Sequence, residues 1–196
     1  MIESRQKKRI QKINQHMRKL LLFFLSLIYF GAQCQINKVT IQASGLTCSM
    51  CSNSINKAIK SIDYVDHVIA NIKNSSFEVT FKPHANVDFD QLKKKVEGAG
   101  FFVAQFEASV NLDHLNVSND AHVELFGKMF HFMNVGNQQL NDVVTLKFID
   151  KGFVTSKEFK KIAKYTQMEC YKTGVMGSCC KQKVKSDGVR IYHVTI

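Results

Sequence analysis

The sequence predicts an α+β protein: a strand-helix-strand-strand-helix-strand unit over residues 36–107, then a small, mainly antiparallel β domain with one helix over 108–196. Three observations carry that expectation. In the first part, short runs of alternating apolar residues are interrupted twice by segments whose apolar residues recur at helical spacing. Turn- and cap-forming residues fall between these segments: Gly45, Asn74-Ser75-Ser76, Pro83, Asp88, Gly98 and Gly100. From Ala108 onward short alternating runs dominate, with one helical segment among them.

The elements follow in order. Lys38 to Ala43 reads as a strand with Val39 and Ile41 inward. Gly45 permits a tight turn, and Cys51 to Ile62 is a helix with Ile55, Ala58, Ile59 and Ile62 on one face. Val65, Val68, Ala70 and Ile72 fit a second strand. Phe77, Val79 and Phe81 alternate with Glu78 and Thr80 in a third, which Pro83, the only proline, ends. Asp88 caps a second helix and Gln91 completes a capping box. Phe89, Leu92, Val96 and Ala99 give that helix its buried face, and Lys93 to Lys95 its solvated one. Phe101 to Phe106 is a fourth strand. This order is the split βαβ, or ferredoxin-like, arrangement, with both helices on one face of an antiparallel sheet.

Between the first strand and the first helix lies Gly45-Leu46-Thr47-Cys48-Ser49-Met50-Cys51. The spacing puts two cysteines on a loop that enters a helix, with Cys51 in or near the first helical turn, where the helix dipole and free backbone N–H groups favour a thiolate. Two thiolates on an exposed loop are a site for a soft metal ion. The loop resembles that of the heavy-metal-associated domain family, whose usual form is Gly-Met-Thr-Cys-x-x-Cys; Leu46 stands where the family has Met. The resemblance covers about Ile36 to Glu107. It implies that Cys48 and Cys51 hold Cu(I), or in some branches Hg(II), Zn(II) or Cd(II), and that Phe101 takes the place of an aromatic near the loop. It describes an exported bacterial member with an added C-terminal domain.

Formal net charge is +11, of which residues 1–19 hold +6. The basic character is therefore concentrated at the N-terminus. No basic stripe with interleaved aromatics accompanies it, so nucleic-acid binding is not expected. Leu20 to Ala32 is an apolar run behind Arg18-Lys19, the layout of a signal peptide over residues 1–34. Its length falls short of the ~20 residues a membrane span needs. Cleavage after Cys34 leaves Gln35 first; a lipid anchor on Cys34 or an uncleaved N-terminal anchor are the alternatives. Met17 is a second candidate start, with residues 1–16 an extension. Localisation is then periplasmic or secreted, and the mature protein is expected to be a monomer without a membrane span.

The second part reads as short strands at Val110/Leu112, His122–Phe126, Met129–Met133, Val143–Ile149 and Val189–Ile196, with Gly127-Lys128 as a tight hairpin. Thr155 to Lys164 is its helix, capped by Ser156. A small antiparallel sheet or a partly open barrel of the oligonucleotide/oligosaccharide-binding type is expected. Cys170, Cys179 and Cys180 lie in a Gly- and Lys-rich loop near Met168 and Met176. Two readings stand side by side: a disulfide from Cys170 to Cys179 or Cys180, as an oxidising compartment favours, or a second soft-metal site with His131 as a further candidate ligand. The seven histidines are scattered in sequence, and no His-x-x-x-His pair marks a zinc site.

No hydrolase or transferase constellation stands out, so a non-enzymatic metal carrier that exchanges its ion with a protein partner is the leading expectation. A thiol-disulfide oxidoreductase using Cys48 and Cys51 is the rival, although Ser49-Met50 replaces the Gly-Pro of the thioredoxin-type motif. A metal-sensing interaction protein is the third reading.

Overall fold

The computed structural model describes residues 35–46, 48–164, 166–180 and 188–196, and these described residues form one compact unit. The leader, the alternative start and Cys34 lie outside the described residues.

The chain builds β1 (Gln35–Ser44), α1 (Ser49–Lys60), β2 (Val65–Asn71), β3 (Ser76–Phe81), α2 (Phe89–Gly98) and β4 (Phe102–Val117). These pair antiparallel in the order β2-β3-β1-β4, as the ferredoxin-like expectation requires. Burial follows the alternation: Val39, Ile41, Phe77 and Val79 point into the core, where Ile55 and Ile59 of α1 and Phe89, Leu92 and Val96 of α2 meet them. Ile72 does not join them; it lies past the end of β2 and is exposed. Phe101 is half-buried against the same core.

The second part continues with β5 (Ala121–Leu125), β6 (Lys128–Phe132), β7 (Gln138–Phe148), α3 (Ser156–Ile162), α4 (Glu169–Thr173) and β8 (Ile191–Thr195). Here the structure departs from expectation. β4 is 16 residues long, and Val110 and Leu112 belong to it rather than to a strand of their own. β7 pairs along its second half, so one eight-stranded sheet runs β2-β3-β1-β4-β7-β8-β6-β5. The expected boundary at 107/108 falls inside β4. The second part is mainly antiparallel, as expected, but its strands extend the first sheet instead of forming a separate small sheet or a partly open barrel, and β6 with β8 forms a parallel pair.

Phe89 explains why the two parts join. Its ring lies 6.0 Å from Phe106, 4.8 Å from Phe148 and 5.3 Å from Tyr192, so one α2 side chain fills a space lined from both sides. Asp90, next to it, accepts from Arg190 at 2.9 Å and from Tyr192 Oη at 3.0 Å. The β5–β6 hairpin turns through Phe126-Gly127, one residue before the expected pair. Both have positive φ, 55° and 68°, as a two-residue hairpin of the primed type demands. Thr155, not Ser156, caps α3, accepting from the Glu158 N–H at 3.2 Å.

Candidate metal centre

Cys48 is the N-cap of α1. Its backbone is extended (φ −150°), and its sulfur accepts the Cys51 N–H at 3.3 Å in the place where Ser or Asp usually sits. Gly45, at φ +84°, turns the chain out of β1 just before it. Cys51 falls in the first helical turn, with its sulfur 2.7 Å from that of Cys48. The Cys51 thiol, followed by the Cys51 backbone N–H, lowers the Cys48 pKa against desolvation, and the Met50 backbone adds to the lowering. Sequence reasoning assigned that role to Cys51; the cap position transfers it to Cys48.

Cys48 is exposed and Cys51 half-buried. Two bonds of ~2.3 Å to a linearly coordinated ion set the sulfurs about 4.6 Å apart, so binding separates them. Little resists that movement, because Cys48 is outside the core and Met50 between them is 79% exposed. The donor set fits a soft ion content with two thiolates.

The C-terminal cysteines form a different centre. All five described cysteines are free, so the expected disulfide from Cys170 to Cys179 or Cys180 is not formed. Cys170 is buried on α4, and its sulfur faces two imidazoles: His193 Nε2 at 3.5 Å and His131 Nδ1 at 3.8 Å. Cys179 Sγ accepts the Cys170 N–H at 3.2 Å and lies 3.8 Å from Cys180 Sγ. Met129, Met176 and Ile191 complete the apolar surroundings, with Met168 at the edge.

Three histidines enter this cluster because strand pairing aligns them: His122 opposes His131 in β5–β6, and His131 opposes His193 in β6–β8. His122 and His131 stack at 4.3 Å. His193 Nδ1 meets Asp150 Oδ1 at 2.8 Å, and His131 Nε2 meets Asp120 Oδ1 at 3.2 Å. Burial, then His193 and His122, push the His131 pKa down to about 4, so the ring is neutral. Burial raises the Cys170 pKa strongly and the Cys180 pKa as well. For Cys179 burial acts the same way, but the Cys170 N–H and the neighbouring thiols outweigh it and lower the pKa. No local motif marks this centre, because its imidazoles come from three strands.

The family model for the heavy-metal-associated domain matches residues 40–102, which contain Cys48 and Cys51. Among curated relatives, the chain is 30% identical over 76 residues to the probable copper-transporting ATPase HMA5 of Arabidopsis thaliana, covering 39% of this chain and 8% of that protein. It is likewise 30% identical over 79 residues to a probable copper-exporting P-type ATPase of Archaeoglobus fulgidus, covering 39% and 10%. The chain thus spans about a tenth or less of these relatives. Oxidised MerP from Ralstonia metallidurans is a similar solved structure, 27% identical with a TM-score of 0.32, covering 40% of this chain and all of that one. Among the described residues, no helix is long and apolar enough to cross a membrane.

Proposed function

From the premise that residues 40–102 are a heavy-metal-associated domain, we propose that this protein is a non-enzymatic carrier of a soft metal ion, Cu(I) first, working outside the cytoplasm. The observation that carries the reading is the Cys48–Cys51 pair: two thiols at a helix start, one of them the cap, exposed enough to be reached by another protein. Relatives named as copper ATPases over the same region support copper. Support for export is the Leu20–Ala32 run behind Arg18-Lys19. Transfer proceeds by exchange of one thiolate at a time with a partner's thiolate, and exposed Met50 gives that partner an apolar contact.

Titration of the reduced full chain with Cu(I) against a competing chelator tests the assignment. Cys48→Ser and Cys51→Ser each weaken the tightest copper equivalent by ~100-fold or more, about 2.7 kcal/mol, with the circular dichroism unchanged. Wild-type affinity in the double variant removes the assignment. The close sulfurs and the low Cys48 pKa also suit thiol-disulfide exchange. Turnover of a disulfide substrate in the absence of metal, abolished by the same variants, favours that second reading.

A further inference from the structure

We propose that the second part of the chain holds its own buried metal site, made of His131 Nδ1, His193 Nε2 and Cys170 Sγ, for a tetrahedral borderline ion of the Zn(II) class. Cys180 and His122 stand beside it to supply the fourth donor. The ligand atoms of His131, Cys170 and His193 all lie within 4.8 Å of one another, and those of His122, Cys170 and Cys180 do the same around the shared sulfur.

The distances fit the ion. Bonds of ~2.3 Å to sulfur and ~2.05 Å to nitrogen, set tetrahedrally, place S and N about 3.5 Å apart and two sulfurs about 3.8 Å apart. The two sulfur–nitrogen separations at Cys170 are 3.5 and 3.8 Å. The strands and α4 therefore bring the Cys170 sulfur to about the edge length of a coordination tetrahedron from each imidazole nitrogen.

Proton bookkeeping argues the same way. His131 and His193 are both 0% exposed. Asp150 and Asp120 each take the N–H of one ring, at 2.8 and 3.2 Å, which leaves the other nitrogen of each ring as an acceptor aimed at Cys170. Cys170 has a single S–H, a weak donor, and cannot serve two acceptors at once. A cation bound by the Cys170 thiolate satisfies both nitrogens together, with the thiol proton released to solvent. An imidazole oriented by a carboxylate through its far nitrogen is the usual support of a metal-ligating histidine, and here it occurs twice. His193 is held still more firmly, since its backbone N–H donates to Asp150 Oδ2 at 2.8 Å.

The site is independent of the exposed pair. Cys48 follows β1, whereas the histidines sit on β5, β6 and β8, with β4 and β7 between them in the sheet. Its burial and mixed nitrogen–sulfur donors suit a resident ion, in contrast to the exposed dithiol of the carrier loop.

The test uses the reduced full chain carrying Cys48→Ser and Cys51→Ser, so that failure here and failure of the carrier assignment are separate results. Zn(II) and, as a spectroscopic probe, Co(II) are added. The expected result is one equivalent bound, a thiolate-to-Co(II) charge-transfer band and visible absorption of tetrahedral strength, and a rise in thermal midpoint with Zn(II). Cys170→Ser and His193→Gln abolish the band. Because those side chains are buried and the variants could misfold, Asp120→Asn is the companion. Asp120 is half exposed and lies at φ 60°, which asparagine tolerates. Loss of its carboxylate is expected to weaken Zn(II) ~10–100-fold while the metal-free melting curve stays in place. No bound Co(II), a spectrum unchanged by both histidine and Asp120 substitution, or a native Cys170–Cys179 disulfide would overturn the proposal.

Discussion

Tyr64 shows how much one side chain joins. Its hydroxyl donates to the Asp88 carbonyl at 2.8 Å, and its ring lies 6.0 Å from Phe81, tying the start of β2 to the cap of α2. Burial, with the nearby Asp88 charge, pushes its pKa up to about 12. An unfolded tyrosine ionises near pH ~10. The folded state therefore holds the phenol's proton more tightly than the unfolded chain does. The stability this contributes is intact below pH ~10 and is lost as the pH rises from there through about 12. Denaturant unfolding of Tyr64→Phe across that range is expected to show a shallower alkaline decline than the wild type. Identical slopes would mean that Tyr64 does not report the alkaline loss.

At the scale of elements, α2 was legible except at its edges: Ala99 lies past its end as the C-cap, and Lys93 is drawn in against Glu97. Asp88 accepts the Gln91 N–H at 3.0 Å as its cap, and Phe89, Leu92 and Val96 are buried. Asp88→Ala is expected to cost about 0.5–2 kcal/mol, read as a lower denaturant midpoint with an unchanged slope. β4 was half legible. Its alternation runs on through Phe106, Ala108, Val110 and Leu112, all buried. Reading a domain end at Glu107 cut a pattern that continues, because the family resemblance stops there and the strand does not. α4 was missed: five residues give too little periodicity to see. The Cys48–Cys51 site was visible because its spacing is local. The histidine cluster was hidden because register between strands, not spacing along one, places His122, His131 and His193 side by side. No local motif encodes a parallel pairing such as β6 with β8.

Over the whole molecule, the continuous β4, the ring cluster around Phe89 and the Asp90–Arg190 ion pair leave no natural line of separation. Residues 34–196 are expected to melt in one calorimetric transition whose van't Hoff and calorimetric enthalpies agree. Phe89→Ala removes a fully buried ring and is expected to cost ~3–5 kcal/mol, moving that single transition downward as a unit. Two resolved transitions, with only one displaced, would show that the parts unfold separately.

The position of β8 has a consequence for how the molecule is assembled. The strand slots between β7 and β6, partners made long before it in the chain. Until it arrives, both neighbours present open backbone edges that face one another across a strand-wide gap, and the same strand of a second molecule fits that gap equally well. A dimer made by exchanging that strand would carry His193 into the other copy's cluster.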